Sequence, residues 1–147
     1  MFGIFFLFNR KDAMTLRKVE NKERFEYLAK QIFLAALEVH KNLGPGLLES
    51  VYEVSFLREL QIREISSAYQ VKVPLFYKGY DTGKDFFVDI LVENEIIIEI
   101  KAVELLHPVH IAQILSYLKL SDKRMGFLIN FNVPMIKDGF KRLVNNY

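Results

Sequence analysis

The segment that most constrains the fold is FFVDILVENEIIIEIKA, residues 86–102. Most of it is apolar enough for buried sheet, yet Asp89, Glu99 and Lys101 are set into it. Charged side chains are rarely buried unless they are paired or bind a metal. The Glu-Asn-Glu run in its middle interrupts the apolar pattern, so the segment is predicted to form two strands joined as a hairpin.

The register of this hairpin decides which side chains meet, because successive residues of a strand face opposite sides of the sheet. A two-residue loop would leave Asp89 and Glu99 on different faces. A three-residue loop, residues 93–95, pairs Val92 with Ile96 and brings Asp89 opposite Glu99. The longer loop is favoured because it also gathers one continuous apolar face. That face is predicted to contain Val88, Ile90, Ile96, Ile98 and Ile100.

In the favoured register, Asp89 and Glu99 have Cβ atoms about 4.5–5.5 Å apart. Two carboxylates at that distance repel each other unless a cation lies between them or one of them holds a proton. A site of oxygen ligands suits Mg²⁺ or Mn²⁺ rather than zinc, and the chain contains no Cys. Spacing alone leaves open a simpler interpretation, in which Lys101 pairs with a carboxylate on an exposed sheet face.

The other elements follow from apolar spacing and turn residues. Helices are predicted at about Glu20–His40, Leu47–Ile62 and Pro108–Leu120, and strands at about Tyr69–Tyr77, Asp85–Val92, Ile96–Ala102 and Met125–Phe131. The stretch KGYDTGKD is predicted to be a turn, and the tail after Pro134 is compatible with helix or strand. The order α-α-β-β-β-α-β predicts an α/β fold with a mixed (α+β) sheet, in which the strand–helix–strand return forms a parallel pair.

Composition is typical of a soluble globular protein of one domain. The chain has 147 residues, of which 51% are hydrophobic and 26% charged, and its net charge is +2. This near-neutral charge neither indicates nor excludes binding to nucleic acid. The absence of Cys is compatible with the cytoplasm, which is the expected location. The apolar run Phe2–Phe8 is too short to span a membrane, so no membrane partner is expected.

The N-terminus is interpreted separately from the rest of the chain. Residues 1–19 are predicted to be an extension, and residues 20–147 a single domain. Met14 opens a more ordinary sequence, so a start at that residue is an open interpretation for residues 1–13.

Two further polar features lie on predicted helices. Glu49 falls in the first turn of the second helix, where the helix dipole alone stabilises an acidic side chain. His110, Gln113 and Tyr117 follow one another at helical spacing on the third helix, which is typical of a solvent-facing stripe. Neither feature by itself predicts a site.

Taken together, these residues resemble a known family. GLLESVY, residues 46–52, matches the pattern G-x-x-E-x-x-Y and follows LGPG, while Asp89 and the E-x-K triplet at Glu99–Lys101 complete a second pattern. The chain resembles the GxxExxY proteins, small bacterial and archaeal proteins assigned to the PD-(D/E)XK nuclease superfamily. Gln113 and Tyr117 match the Q-x-x-x-Y element of the RecB-like and Cas4-like branches. The resemblance extends from about residue 32 to residue 146.

The resemblance implies a restriction-endonuclease-like α-β-β-β-α-β core with an additional N-terminal helix. It implies that Glu49, Asp89 and Glu99, together with the backbone carbonyl of Ile100, bind Mg²⁺ or Mn²⁺. Lys101 would then orient or activate the attacking water. Val88 stands where the superfamily's name has Pro, at a position that varies widely.

The resemblance also implies supporting roles and an activity. Gln113 and Tyr117 would line the site and contact the substrate backbone, and Tyr52, three residues after Glu49 on the same helix face, would support the site. The implied activity is hydrolysis of phosphodiester bonds in nucleic acid, with DNA as the expected substrate. One alternative is a non-catalytic module that retains the fold and binds nucleic acid or a protein. A homodimer, formed through the sheet edge or the N-terminal Phe cluster, is a further open interpretation.

Overall fold

The computed structural model of the protein describes residues 10–147. Its helices are α1 (Arg10–Leu43), α2 (Glu49–Ile62), α3 (Pro108–Ser121) and the short α4 (Ile136–Gly139). Its strands are β1 (Ser67–Tyr77), β2 (Tyr80–Val92), β3 (Ile96–Lys101), β4 (Met125–Asn130) and β5 (Phe140–Val144). The predicted order is confirmed through β4, and the ambiguous tail forms both a helical turn and a strand.

The five strands form one sheet in the order β1-β2-β3-β4-β5. Strands β3 and β4 run parallel and are joined across α3, whereas every other neighbouring pair is antiparallel. This arrangement confirms the predicted mixed sheet and its parallel return. By internal contacts the chain divides after Phe33, so the whole sheet belongs to the unit formed by residues 34–147. Along residues 10–147, no helix combines the length and the apolar content that a membrane span requires.

Helix α1 begins at Arg10, which corrects the predicted start near Glu20. Every side chain from Arg10 to Arg24 is exposed. The large apolar residues of this segment, Met14, Leu16 and Val19, do not recur at the spacing of a buried helix face, so the segment was not predicted as helix. The apolar run Phe2–Phe8 and the Phe cluster of the dimer interpretation lie outside the described residues, as do the first nine residues of the proposed extension.

The β1–β2 hairpin is longer than predicted. Its turn is limited to Lys78 and Gly79, both of which have positive φ angles, and Tyr77 pairs with Tyr80 across it. Two left-handed residues form a tight turn whose twist matches the twist of the strands. The rest of the predicted KGYDTGKD turn is therefore strand. Its remaining glycine, Gly83, has φ +69° and is accommodated within β2.

The β2–β3 hairpin has the predicted three-residue loop. Val92 pairs with Ile96, and the loop residues Glu93 and Asn94 both adopt left-handed conformations, with φ of +50° and +58°. The Glu95 backbone N–H closes the loop by donating to the Val92 carbonyl at 2.9 Å. The register that brings Asp89 opposite Glu99 is therefore confirmed.

The predicted apolar face is wrong at one residue, Val88. The four isoleucines of that face are fully buried, but Val88 packs in a cluster that contains Ile97 of β3 and Ile114 of α3. The change of face coincides with a gap in the ladder, because pairing passes from Val71–Val88 to Tyr69–Ile90 without Gln70, whose φ is +51°. The register is the same on both sides of this gap.

Beyond β4, the chain returns closely past its own backbone. Gly139, at the end of α4, is buried, and a Cβ added to it would collide with the carbonyl oxygen of Asn130. Asn130 is itself buried, and its side chain exchanges two hydrogen bonds with the backbone of Val103, at 3.0 and 2.9 Å. Glycine at 139 is therefore required by close approach rather than by flexibility.

We expect Gly139→Ala to destabilise the protein by about 3 kcal/mol or more, because the collision is with backbone and overpacking cannot be relieved by a rotamer change. Urea unfolding measures the effect. Lys137→Ala, an exposed change on the same short helix, is the control and should stay within about 0.5 kcal/mol of wild type. Equal stability of Gly139→Ala and wild type would contradict the close approach of α4 to β4.

Candidate metal centre

Three carboxylates converge where the start of α2 meets β2. Glu49, Glu53 and Asp89 each offer one oxygen, and these oxygens all lie within 4.8 Å of one another. Glu53 is buried, while Glu49 and Asp89 are half-buried. Like charges this close are unfavourable unless a cation or a proton neutralises part of them.

The loop before α2 fixes the position of Glu49. Gly44 and Gly46 adopt left-handed conformations, with φ of +66° and +96°, and Gly44 ends α1 by donating its N–H to the His40 carbonyl at 2.8 Å. Glu49 is then the first residue of α2. Its predicted place in the first helical turn is confirmed.

Tyr52 connects this loop to the sheet. Its hydroxyl donates to the Gly44 carbonyl at 2.6 Å and accepts from the Leu47 N–H at 3.1 Å. Its ring is fully buried and stacks on Phe131, with centroids 4.6 Å apart. Tyr52 thus holds the loop that contains Gly46 and leads into the helix of Glu49.

Glu99 contacts Asp89 but lies outside the three-carboxylate cluster. The Asp89 backbone N–H donates to Glu99 Oε1 at 3.3 Å, and Asp89 Oδ2 accepts the Ile100 backbone N–H at 2.9 Å. The predicted set was Glu49, Asp89 and Glu99. The structure brings Glu49 and Asp89 together, joins Glu99 to them through Asp89, and adds Glu53.

Burial determines the protonation of Glu99. Desolvation raises the pKa of Glu99 to about 9, and the nearby Asp89 charge adds to this effect, while Lys101 opposes it. The pKa of Glu53 is also raised, first by burial and then by the charges of Asp89 and Glu49, although the Tyr69 hydrogen bond acts against the shift. Without a cation, the centre therefore retains at least one proton at neutral pH.

Lys101 and Ile100 end β3 beside these carboxylates. Lys101 is half-buried, and its positive charge lowers the pKa values of both Glu99 and Glu53. Ile100 is fully buried, and its N–H is the group that holds Asp89. Both residues thus lie at the end of β3, beside Asp89 and Glu99.

Two residues of the centre were missed by the sequence prediction, Glu53 and Tyr69. The Tyr69 hydroxyl donates to Glu53 Oε2 at 3.0 Å, and this hydrogen bond is the main reason that the pKa of Tyr69 is raised. The spacing of Glu49 and Glu53 offered a signal, because residues i and i+4 lie on the same helix face. Tyr69 offered none, since it lies beside Gln70, where the regular pairing of β1 with β2 is interrupted.

The predicted pair on α3 is present at the side of the centre. Gln113 donates its side-chain N–H to the Tyr117 hydroxyl at 2.7 Å. Tyr117 stacks on Phe86, with centroids 3.9 Å apart, and its pKa is raised by burial and then by the charge of Glu99. His110, the third member of the predicted stripe, instead accepts the His107 backbone N–H at the start of α3.

The chemistry of these donors fits a hard divalent cation. All are carboxylate oxygens, which are the ligands that Mg²⁺ and Mn²⁺ prefer. Their mutual repulsion and the proton retained by Glu99 indicate that the centre favours added positive charge. Glu49, Glu53 and Asp89 are the carboxylates whose oxygens lie close enough together to hold one ion.

A profile of the PD-(D/E)XK nuclease superfamily matches residues 26–143. The match covers most of the chain, and the mixed five-stranded sheet agrees with the restriction-endonuclease-like fold of that class. The protein belongs to the PD-(D/E)XK nuclease superfamily. The superfamily part of the predicted resemblance is thereby confirmed.

Neither a comparison with curated proteins nor one with solved structures finds a significant match.

We expect Tyr52→Phe to lower the free energy of unfolding by about 1–3 kcal/mol, because the Gly44 carbonyl and the Leu47 N–H both lose their partner. Urea unfolding measures this loss, and Tyr80→Phe, an exposed change at the hairpin turn, is the control. Unchanged stability of Tyr52→Phe would contradict the role of the hydroxyl in holding the loop.

We expect the metal-free protein to lose stability as pH rises from about 4.5 to about 9. Over this range native Glu99 retains a proton that the unfolded chain, with its usual pKa of 4.5, has released. Raising the pH therefore favours unfolding, by at most about 1.4 kcal/mol per pH unit.

Glu99→Gln replaces the protonated acid by a neutral group of similar shape, so it should flatten this slope and make the protein more stable than wild type near pH 8. Chemical unfolding in EDTA across the pH range measures both effects. The exposed change Glu104→Gln should leave the slope intact. An identical slope in Glu99→Gln would show that Glu99 does not hold the proton.

Proposed function

We propose that this chain is a divalent-metal-dependent nuclease that hydrolyses phosphodiester bonds in nucleic acid, with DNA as the expected substrate. The observation that carries the proposal is the convergence of Glu49, Glu53 and Asp89 within 4.8 Å, with Glu99 bonded to Asp89, in a chain of the PD-(D/E)XK nuclease superfamily. No structural role alone requires so many carboxylates at one point, since their repulsion opposes folding.

The cation would be held by Glu49, Asp89 and Glu99, with the Ile100 carbonyl as a backbone ligand. Bound Mg²⁺ or Mn²⁺ would polarise the phosphate and lower the pKa of a bound water. Asp89 is oriented for this task by the Ile100 N–H, which holds one of its oxygens at 2.9 Å. Glu53 is oriented by Tyr69 and supplies further negative charge beside the same point.

Lys101 is proposed to hold the attacking water and to steady the negative charge that develops on the phosphate. Support comes from its place at the end of β3, where its charge acts on both Glu99 and Glu53. A positioned ammonium group at such a point contributes by electrostatic stabilisation in a site with little water.

Gln113 and Tyr117 are proposed to contact the substrate backbone. Their side chains are joined by a hydrogen bond of 2.7 Å, and Gln113 keeps a second N–H for a phosphate oxygen. We further propose that the chain is a GxxExxY protein. The left-handed Gly46 in the loop before Glu49, and the hydrogen bonds of Tyr52 to that loop, support this proposal.

We expect Asp89→Asn and Lys101→Met each to reduce cleavage by about 100-fold or more, since positioned acid–base and charged groups contribute at least that much. The assay uses purified protein with single-stranded, double-stranded and branched DNA and RNA, in Mg²⁺ or Mn²⁺. Lys30→Met, an exposed change of the same type, is the matched control and should cleave like wild type.

Cleavage that survives unchanged in both variants would identify a contaminant and overturn the proposal. Urea unfolding of each variant separates loss of activity from loss of fold. Salt-sensitive binding of nucleic acid without divalent-metal binding in calorimetry would instead support a non-catalytic module, an alternative that the net charge of +2 leaves in place.

A further inference from the structure

A strip of exposed side chains leads from the metal centre along the β1–β2 hairpin. Val73 and its partner Phe86 pack on the side of the sheet that faces α3, where Phe86 stacks on Tyr117. The adjacent pair, Lys72 and Phe87, therefore points to the other face, because side chains alternate along a strand. This pair and Tyr69 form what we call the hairpin strip.

The hairpin strip is exposed and apolar at its centre. Phe87 leaves 57% of its surface exposed and Tyr69 leaves 50%. Lys72 is paired with Asp85 at 3.2 Å, but its side chain is 63% exposed. A surface ion pair of this kind is weak, so Lys72 is available to a phosphate.

The hairpin strip borders the metal centre at Tyr69. The Tyr69 hydroxyl donates to Glu53, and Phe87 precedes Asp89 by two residues, which is about 7 Å along a strand. A phosphodiester group held at Asp89 would therefore bring the adjoining nucleotide over Phe87. Exposed single phenylalanines are common on protein surfaces, but this one borders the place where a substrate chain must continue.

We propose that Phe87 stacks on an unpaired base while Lys72 contacts the adjoining phosphate, so that single-stranded nucleic acid is the preferred substrate class. This inference rests on the proposed nuclease function and specifies its substrate. An exposed aromatic ring stacks on any base whose face is free, whereas the bases of a duplex already stack on one another. The hairpin strip thus discriminates by strandedness and not by sequence.

A tryptophan placed in the hairpin strip reports stacking directly, because the chain contains no Trp. The fluorescence of Phe87→Trp should be quenched on binding oligothymidine or oligouridine and should change little with a blunt duplex. Tyr80→Trp, at the exposed hairpin turn, is the matched control and should not be quenched. Both variants are made in the Asp89→Asn background with EDTA present, which stops cleavage and removes one negative charge beside the strip.

Affinity measurements separate stacking from charge. In the same background, fluorescence anisotropy should show that Phe87→Ala weakens single-strand binding by about 5- to 150-fold and leaves duplex binding unchanged. Lys72→Ala should reduce the slope of log affinity against log salt by about 0.7 for a single strand. Lys84→Ala, another exposed lysine of the hairpin, should leave that slope unchanged.

The outcomes distinguish this inference from the proposed nuclease function. The proposed role of the hairpin strip is overturned if single strand and duplex bind with equal affinity. It is also overturned if single-strand binding leaves the fluorescence of Phe87→Trp unquenched. In either case, cleavage by wild type still supports the nuclease function. Quenching and single-strand preference, found in a protein whose wild type cleaves no substrate, support the role of the hairpin strip and overturn the proposed nuclease function. Failure to bind any of the three probes overturns the strip.

Discussion

The metal centre depends on one interaction, in which the Asp89 carboxylate accepts the backbone N–H of Ile100 at 2.9 Å. Regular backbone pairing of β2 with β3 ends at Ile90 and Ile98. Beyond that pair, the side chain of Asp89 accepts the Ile100 N–H in place of a backbone carbonyl. Glu99 completes the exchange by accepting the Asp89 N–H. Backbone groups that would otherwise be buried without partners are thus satisfied by the same carboxylates that form the centre.

Alternation made part of this arrangement predictable. The hairpin register follows from the alternation of side chains along strands, and the place of Glu49 follows from helical spacing. The parallel β3–β4 pair follows from the return of a strand–helix–strand unit. The face of Val88 and the approach of Tyr69 to Glu53 do not, because both lie beside the gap in the β1–β2 ladder at Gln70, which no sequence pattern indicates. The early start of α1 was missed because residues 10–24 are all exposed, and an exposed helix segment needs no apolar residues at regular helical spacing. The site roles carried over from the resemblance stay predictions.

The electrostatics of the centre cannot be inferred from total charge. The chain carries a net charge of +2, yet Glu49, Glu53 and Asp89 concentrate negative charge at one point, with Glu99 beside them. Burial raises the pKa of Glu99, and the charge of Asp89 adds to this effect. A polyanionic substrate would be repelled by the ionised carboxylates alone, so the centre requires a compensating positive charge before it can accept a phosphate.

The hydroxyl of Tyr52 makes the loop before α2 less tolerant of length changes than surface loops generally are. It bonds to both Gly44 and Leu47 while its ring is held against Phe131. The loop is therefore anchored from within the helix that follows it. One residue inserted between Leu47 and Glu49 could not be absorbed by rotating α2, because Tyr52, Phe56 and Leu60 on that helix are fully buried. The loop would instead have to bulge and give up a hydrogen bond of the Tyr52 hydroxyl, so the helix turn that carries Glu49 would lose its anchor.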